Sequence, residues 1–205
     1  MTVWLRKLGL HAALGRATRR ADTVAVTLRS MIVESERLIL REWTSSDFDA
    51  YAAMMADPRV MEFLSLTGTP MKRFDAWRSL AGTVGHWGLR GFGLFAVVER
   101  QTGTFVGQVG PWQPEGWPGL EVGWTLRSEF WGRGYATEAA RRSISYAFDE
   151  LGVARVISLI TPENARSIAV AQRLGERLDG EVSLPHLPAD RRVLQYAIER
   201  SAWRR

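Results

Sequence analysis

The residues best suited to chemistry lie between Gly119 and Gly175. Gly132, Gly134 and Ala136 punctuate the string Trp131-Gly-Arg-Gly-Tyr-Ala-Thr137, where a strand-like run gives way to a helical one. Small residues in such a turn let backbone N–H groups approach a ligand closely. A helix N-terminus adds unpaired donors and the positive end of its dipole. With Arg133 inside it, this turn suits a phosphate. A Walker loop is excluded, because no Gly-Lys-Ser/Thr follows a spacer anywhere in the chain. The dinucleotide fingerprint fails at its sixth position, where Gly132-Arg-Gly-Tyr-Ala-Thr137 has Thr. Gly91-Phe-Gly-Leu-Phe-Ala96 fits that pattern formally, but it precedes a strand instead of opening a helix.

Two acid–base candidates stand nearby. Glu121 is a carboxylate on an otherwise apolar strand, where burial raises a carboxyl pKa; a structural salt bridge is the plainer reading. His86 has the right intrinsic pKa, although a histidine beside Trp87 in a helix is commonly a packing residue. The chain has no cysteine and three histidines. Disulfides, thiolate metal sites and cysteine nucleophiles are therefore excluded together, and no metal is expected. A cysteine-free chain suits a reducing compartment, so a cytoplasmic location is expected.

These residues need elements to hold them. Arg37-Leu-Ile-Leu-Arg-Glu42 reads as a strand, and Thr44-Ser-Ser-Asp47 as a helix start that ends at Asp57-Pro58. A second helix is expected over 70–89, with Phe74, Trp77, Leu80, Ala81 and Val84 on its core stripe. Strands at 94–99 and 104–109 flank a hairpin turn. A Trp/Pro-rich loop over 111–118 leads to a strand at 120–126. A helix over 136–151 follows the glycine turn, with Ala140, Ile144, Ala147, Phe148 and Leu151 on one face. Then come a buried-type strand at 153–161, a helix at 164–174 stopped by Gly175, and two strands at 177–182 and 192–199. The pattern predicts one α/β domain over 31–205.

The formal charge of +5 belongs to residues 1–30. Arg6, Lys7, Arg16, Arg19, Arg20 and Arg29 oppose the single acid Asp22, and 31–205 sums to zero. A nucleic-acid role for the whole domain loses its support. Residues 1–30 read as a basic extension, disordered or dispensable, or as a targeting segment with Trp4, Leu5 and Leu8 on a greasy face. No apolar run approaches the roughly 20 residues that span a bilayer, and no membrane partner is expected.

Trp131-Gly-Arg-Gly-Tyr-Ala-Thr-Glu-Ala139 resembles the acetyl-CoA pyrophosphate loop of the GNAT superfamily, in the branch of the ribosomal-protein N-terminal acetyltransferases. Asn164-Ala-Arg-Ser167 followed by Arg173-Leu-Gly175 is similar to that branch's second motif, and Arg37-Leu-Ile-Leu-Arg41 to its opening strand. The resemblance implies a mixed, mostly antiparallel twisted sheet of about six or seven strands flanked by about four helices. It implies acetyl-CoA as co-substrate and direct attack by a primary amine, on a small molecule or a protein N-terminus, from a monomer or homodimer. The alternative is a non-catalytic acyl-CoA-binding module.

By the same resemblance, Trp131, Gly132, Arg133, Gly134, Tyr135, Ala136 and Thr137 hold the pyrophosphate. Trp124, Thr125 and Leu126, on a strand that splays from its neighbour, hold the pantetheine arm together with Asn164. The tyrosine acid of many members is replaced by Ala171, so Ser167 is nominated as donor to the thiolate and Glu121 as the catalytic base. Trp112 and Trp117, with His86, are acceptor-side candidates. Glu176 stands where phenylalanine usually follows Leu-Gly.

Overall fold

The computed structural model describes residues 31–64, 68–184, 187, 188 and 191–204. The extension expected over 1–30 lies outside the described residues. Eight strands form one sheet: β1 (Ile32–Glu34), β2 (Leu38–Arg41), β3 (Phe95–Glu99), β4 (Phe105–Trp112), β5 (Glu121–Leu126), β6 (Arg155–Ile160), β7 (Arg177–Val182) and β8 (Val193–Glu199). Their spatial order is β1-β2-β3-β4-β5-β6-β8-β7. Every neighbouring pair is antiparallel except β5 and β6. Five helices accompany the sheet: α1 (Phe48–Met55), α2 (Pro58–Met61), α3 (Arg73–Arg90), α4 (Tyr135–Asp149) and α5 (Ala165–Leu174).

The mixed α/β architecture is as expected, with slightly higher counts. β1 has three residues and α2 four, too few for any hydrophobic period to show in sequence. The start of α1 follows its residue types closely. Asp47 accepts from the Thr44 backbone N–H (2.8 Å) and hydroxyl (2.9 Å), and Arg41 grips the same carboxylate through two 2.7 Å bonds. That pairing holds the Asp47 carboxyl below its ordinary range, with the hydrogen bonds outweighing burial.

α4 lies across the sheet with Ala140, Ile144, Ala147 and Phe148 buried, the face its spacing predicts. The helix after residue 70 is present, but its expected stripe is corrected. α3 buries Ala76, Leu80, Thr83 and His86, whereas Phe74, Trp77 and Val84 are exposed. Small residues at 76 and 83 line the packed side, and the bulkier apolar row faces outward. Leu80 is the one member of the expected stripe on the buried side.

The sheet's defining irregularity lies between β5 and β6. β5 pairs with β4 along its whole length, from Glu121↔Trp112 to Leu126↔Gly107. With β6 it shares one register pair, Glu121↔Ile157, beside a 3.0 Å bond from the Ile157 N–H to Leu120 O. Beyond Glu121 the two strands part. Gly107 holds β4 hard against the far end of β5: a Cβ there would sit 2.2 Å from Thr125 O and 2.7 Å from Leu126 Cα. Backbone on both sides cannot yield to a methyl group. Gly107→Ala is expected to destabilise by about 2–3 kcal/mol, a typical cost of overpacking, read as a lowered thermal midpoint.

Candidate active site

Where β5 leaves β6, its backbone faces a groove of about 1310 Å³ that runs past Trp124, Thr125 and Leu126 to the glycine loop. Among the described residues β6 pairs with none of these three. Backbone polar groups must be satisfied somewhere, so this strand edge is a natural ladder for an amide-bearing ligand.

The groove ends at the N-terminus of α4. Gly132 and Gly134 take left-handed conformations, φ 76° and 79°, which favour glycine. Gly134 is also the N-cap and supplies no side-chain cap. The first intrahelical bond runs from Glu138 N–H to Gly134 O, 3.0 Å. The N–H groups of Tyr135, Ala136 and Thr137 therefore open toward the groove, and a phosphate fits them.

The loop is tied down from two sides. Trp131 Nε1 donates to Leu126 O (2.9 Å), and Arg166 stacks over the Trp131 ring at 4.6 Å. Arg37 donates to Arg133 O (3.0 Å) and to Glu138 (2.7 Å). Glu138 also accepts from Ser35 Oγ (2.7 Å) and the Arg37 N–H (2.8 Å). The Arg37–Glu138 clasp escaped the sequence reading, because its partners lie about a hundred residues apart. Arg133 is outside the groove lining, its guanidinium over Phe130 at 5.1 Å. The other cofactor candidates line the groove: Trp131, Gly132, Gly134 to Thr137, Asn164 and Ser167.

A second cavity of about 350 Å³ adjoins the groove at the parted strands. Trp124, Thr125, Asn164 and Ser167 line both, so the two meet there. Its walls include Leu94, Trp112, Trp117, Leu184 and Val193. Glu121 sits within them, accepting a 2.7 Å bond from Trp117 Nε1. Burial pushes the Glu121 carboxyl up to about 7, outweighing the bonds from Trp117 and the Leu159 backbone. Gln108 Oε1 and Thr161 Oγ1, in the same lining, are buried without a hydrogen-bond partner.

His86 is placed behind this wall instead of in it. Its ring stacks on Trp112 at 4.2 Å. Nδ1 lies 2.8 Å from Phe92 O, and Nε2 accepts from the Gln113 N–H at 3.3 Å. Those two backbone partners require the neutral tautomer with its proton on Nδ1. Asn164 caps α5, its Oδ1 accepting from the Ser167 N–H (3.1 Å). The Ser167 hydroxyl accepts from Trp124 Nε1 at 3.3 Å, which leaves its own hydrogen to donate where the cavities join.

Residues 37–177, well over half of the chain, match the family described as acetyltransferase (GNAT) domain. The chain belongs to the GNAT family. An N-acetyltransferase named p20 from Bacillus licheniformis is 28% identical over 148 residues, covering 71% of this chain and 82% of that one. The YkkB protein of Bacillus subtilis is 39% identical over 87 residues, 42% of this chain and about half (51%) of its own length. An acetyltransferase structure from Agrobacterium tumefaciens superposes with a TM-score of 0.71 at 29% identity, over 95% of this chain and 99% of its own. A RimL ribosomal L7/L12 acetyltransferase in complex with coenzyme A shares the fold, with a TM-score of 0.70 at 17% identity over 84% of this chain and 99% of that one.

This GNAT chain is an acetyl-CoA-dependent acyltransferase. No helix among the described residues is long and apolar enough to cross a membrane. A carboxylate in the phosphate seat opposes both the charge of a pyrophosphate and the left-handed turn. Gly134→Asp is expected to lose acetyl-CoA affinity by about 100-fold or more, from like-charge repulsion added to backbone strain. Calorimetric titration measures it, and wild-type affinity would remove this loop from the binding site.

Proposed function

We propose that the protein is an N-acetyltransferase that transfers the acetyl group of acetyl-CoA directly to a primary amine, on a small molecule or a protein N-terminus. One observation carries this reading. The groove suited to acetyl-CoA and the cavity holding Glu121 meet at Trp124, Thr125, Asn164 and Ser167. An acyl donor and an amine entering from the two cavities would come together there, which is the requirement for direct transfer.

The amine nitrogen attacks the thioester carbonyl, so an N–C bond forms as the C–S bond breaks. Glu121 takes the amine proton, a role suited to a carboxyl raised to about 7. The departing thiolate receives a hydrogen bond from Ser167. An incoming ammonium has protons to donate, and the unpartnered Gln108 Oε1 and Thr161 Oγ1 accept such bonds. Trp112 and Trp117 provide an apolar wall for the acceptor's body. Residues 1–30 are dispensable for this chemistry in our reading, since all these groups fall within 31–205.

The decisive experiment is titration with acetyl-CoA, followed by thiol release over a panel of amines and peptides. Binding with turnover on some acceptors supports the transfer reading, and binding without turnover on any defeats it. Two variants separate the roles. Glu121→Gln is expected to lower kcat by about 100-fold or more, the usual worth of a general base, and to abolish a rise in kcat/KM centred near pH 7. Ser167→Ala is expected to lower kcat by about 10- to 100-fold, the worth of one bond to a charged group, with acetyl-CoA affinity unchanged. A kcat unaltered across pH would remove Ser167 from the mechanism.

A further inference from the structure

Glu176 follows Gly175, the left-handed C-cap of α5, and its side chain is only 4% exposed. A carboxylate in that position needs bonded partners. Its Oε1 lies 3.1 Å from Ser158 Oγ, and its Oε2 is buried with no partner. Ser158 Oγ also lies 3.0 Å from Val122 O. A serine hydroxyl has one hydrogen, whereas a carbonyl and an ionised carboxylate only accept. One hydrogen therefore faces two acceptors. A proton on Glu176 resolves the conflict: Glu176 donates to Ser158 Oγ, Ser158 donates to Val122 O, and Oε2 becomes a neutral carbonyl oxygen.

Val122 adjoins Glu121, at the point where β5 and β6 have lost their backbone ladder. The Ser158 hydroxyl thus bridges the parting strands where main-chain bonds no longer do. We propose that Glu176 is a positioning residue, a protonated carboxylic acid that locks β5 through Ser158 and leaves Glu121 to carry the single negative charge of the pair. This rests on the reading of Glu121 as the base. A charged Glu176 would oppose ionisation of Glu121 and leave the amine without a proton acceptor.

The surroundings agree. Burial, with a smaller contribution from the Glu121 charge, pushes the Glu176 carboxyl up to about 8 against the lowering effect of the Ser158 hydrogen bond. β6 contributes Ser158, and β8 contributes Tyr196, the register partner of Ser158. Arg173 and Arg177, beside Glu176 in sequence, are exposed. Among the described residues no cation pairs with Glu176.

Infrared difference spectra of wild type against Glu176→Gln, near neutral pH, read the protonation directly. A protonated-carboxyl carbonyl band is expected; a carboxylate band in its place overturns the proposal. Ser158→Ala should shift that band as its hydrogen bond is lost, and an unmoved band refutes the donation even if Glu176→Gln does not fold. Because the proton is bound more tightly in the folded state, this group's contribution to stability is complete below the ordinary carboxyl range. It is lost as pH rises through about 8. The wild-type melting temperature should therefore fall relative to Glu176→Gln between about pH 4.5 and about pH 8, and a constant difference contradicts the proposal.

In turnover, Glu176→Gln should rescue the loss caused by Glu176→Ala. That loss is expected to reach up to about 100-fold in kcat, the effect of a misplaced reacting group, with acetyl-CoA affinity unchanged. Equal losses in both variants count against positioning. Failure of the underlying reading looks different: Glu121→Gln would then turn over normally while the infrared band of Glu176 persisted.

Discussion

The separation of β5 from β6 is the constraint on which the rest of the molecule depends. A sheet gains by closing its ladders, yet here a parallel pair is abandoned after one register position. The exposed backbone of Trp124 to Leu126 is held straight from the other side, by β4 and the close approach at Gly107. The opening is then lined by elements that the strands themselves deliver. β5 leads into the glycine loop and α4, and β6 leads into α5 with Asn164 and Ser167. A defect in one ladder thus becomes the floor of two cavities.

Electrostatics follow from the same opening. The groove ends on helix N–H groups, which suits a charged ligand. The second cavity is smaller, with an aromatic wall around Glu121. A carboxyl enclosed in that wall is reluctant to ionise, which suits it to the proton-accepting role proposed for Glu121. Trp124 and Ser167, joined by a hydrogen bond, stand where the two cavities meet.

Local signals in the sequence were reliable for local structure. Gly132, Gly134 and Ala136 announced a tight turn leading into a helix, and the spacing of α4 announced its buried face. Glu121 stood out because a carboxylate interrupted an apolar strand. Features that depend on pairing across the fold were not legible. The Arg37–Glu138 clasp, the Trp117 bond to Glu121 and the bridge at Ser158 join residues that no sequence period connects. Glu176 was visible as a departure from the family pattern, but its burial depends on strands that follow it. His86 and Arg133 had suitable chemistry, and tertiary packing turned both away from the cavities. The α3 stripe misled because apolar residues mark a core face only when larger side chains are the ones that fit it.

The order of the sheet also has a consequence for biosynthesis. β8, the last strand in chain order, sits between β6 and β7. Until residues 193–199 leave the ribosome, β6 has an unpaired edge, β7 has no neighbour, and Ser158 and Glu176 lack their enclosing wall. Such edges are sticky in a nascent chain. The glycine loop before α4 is thus made well before β8, the last strand among the described residues, closes the sheet around Ser158 and Glu176.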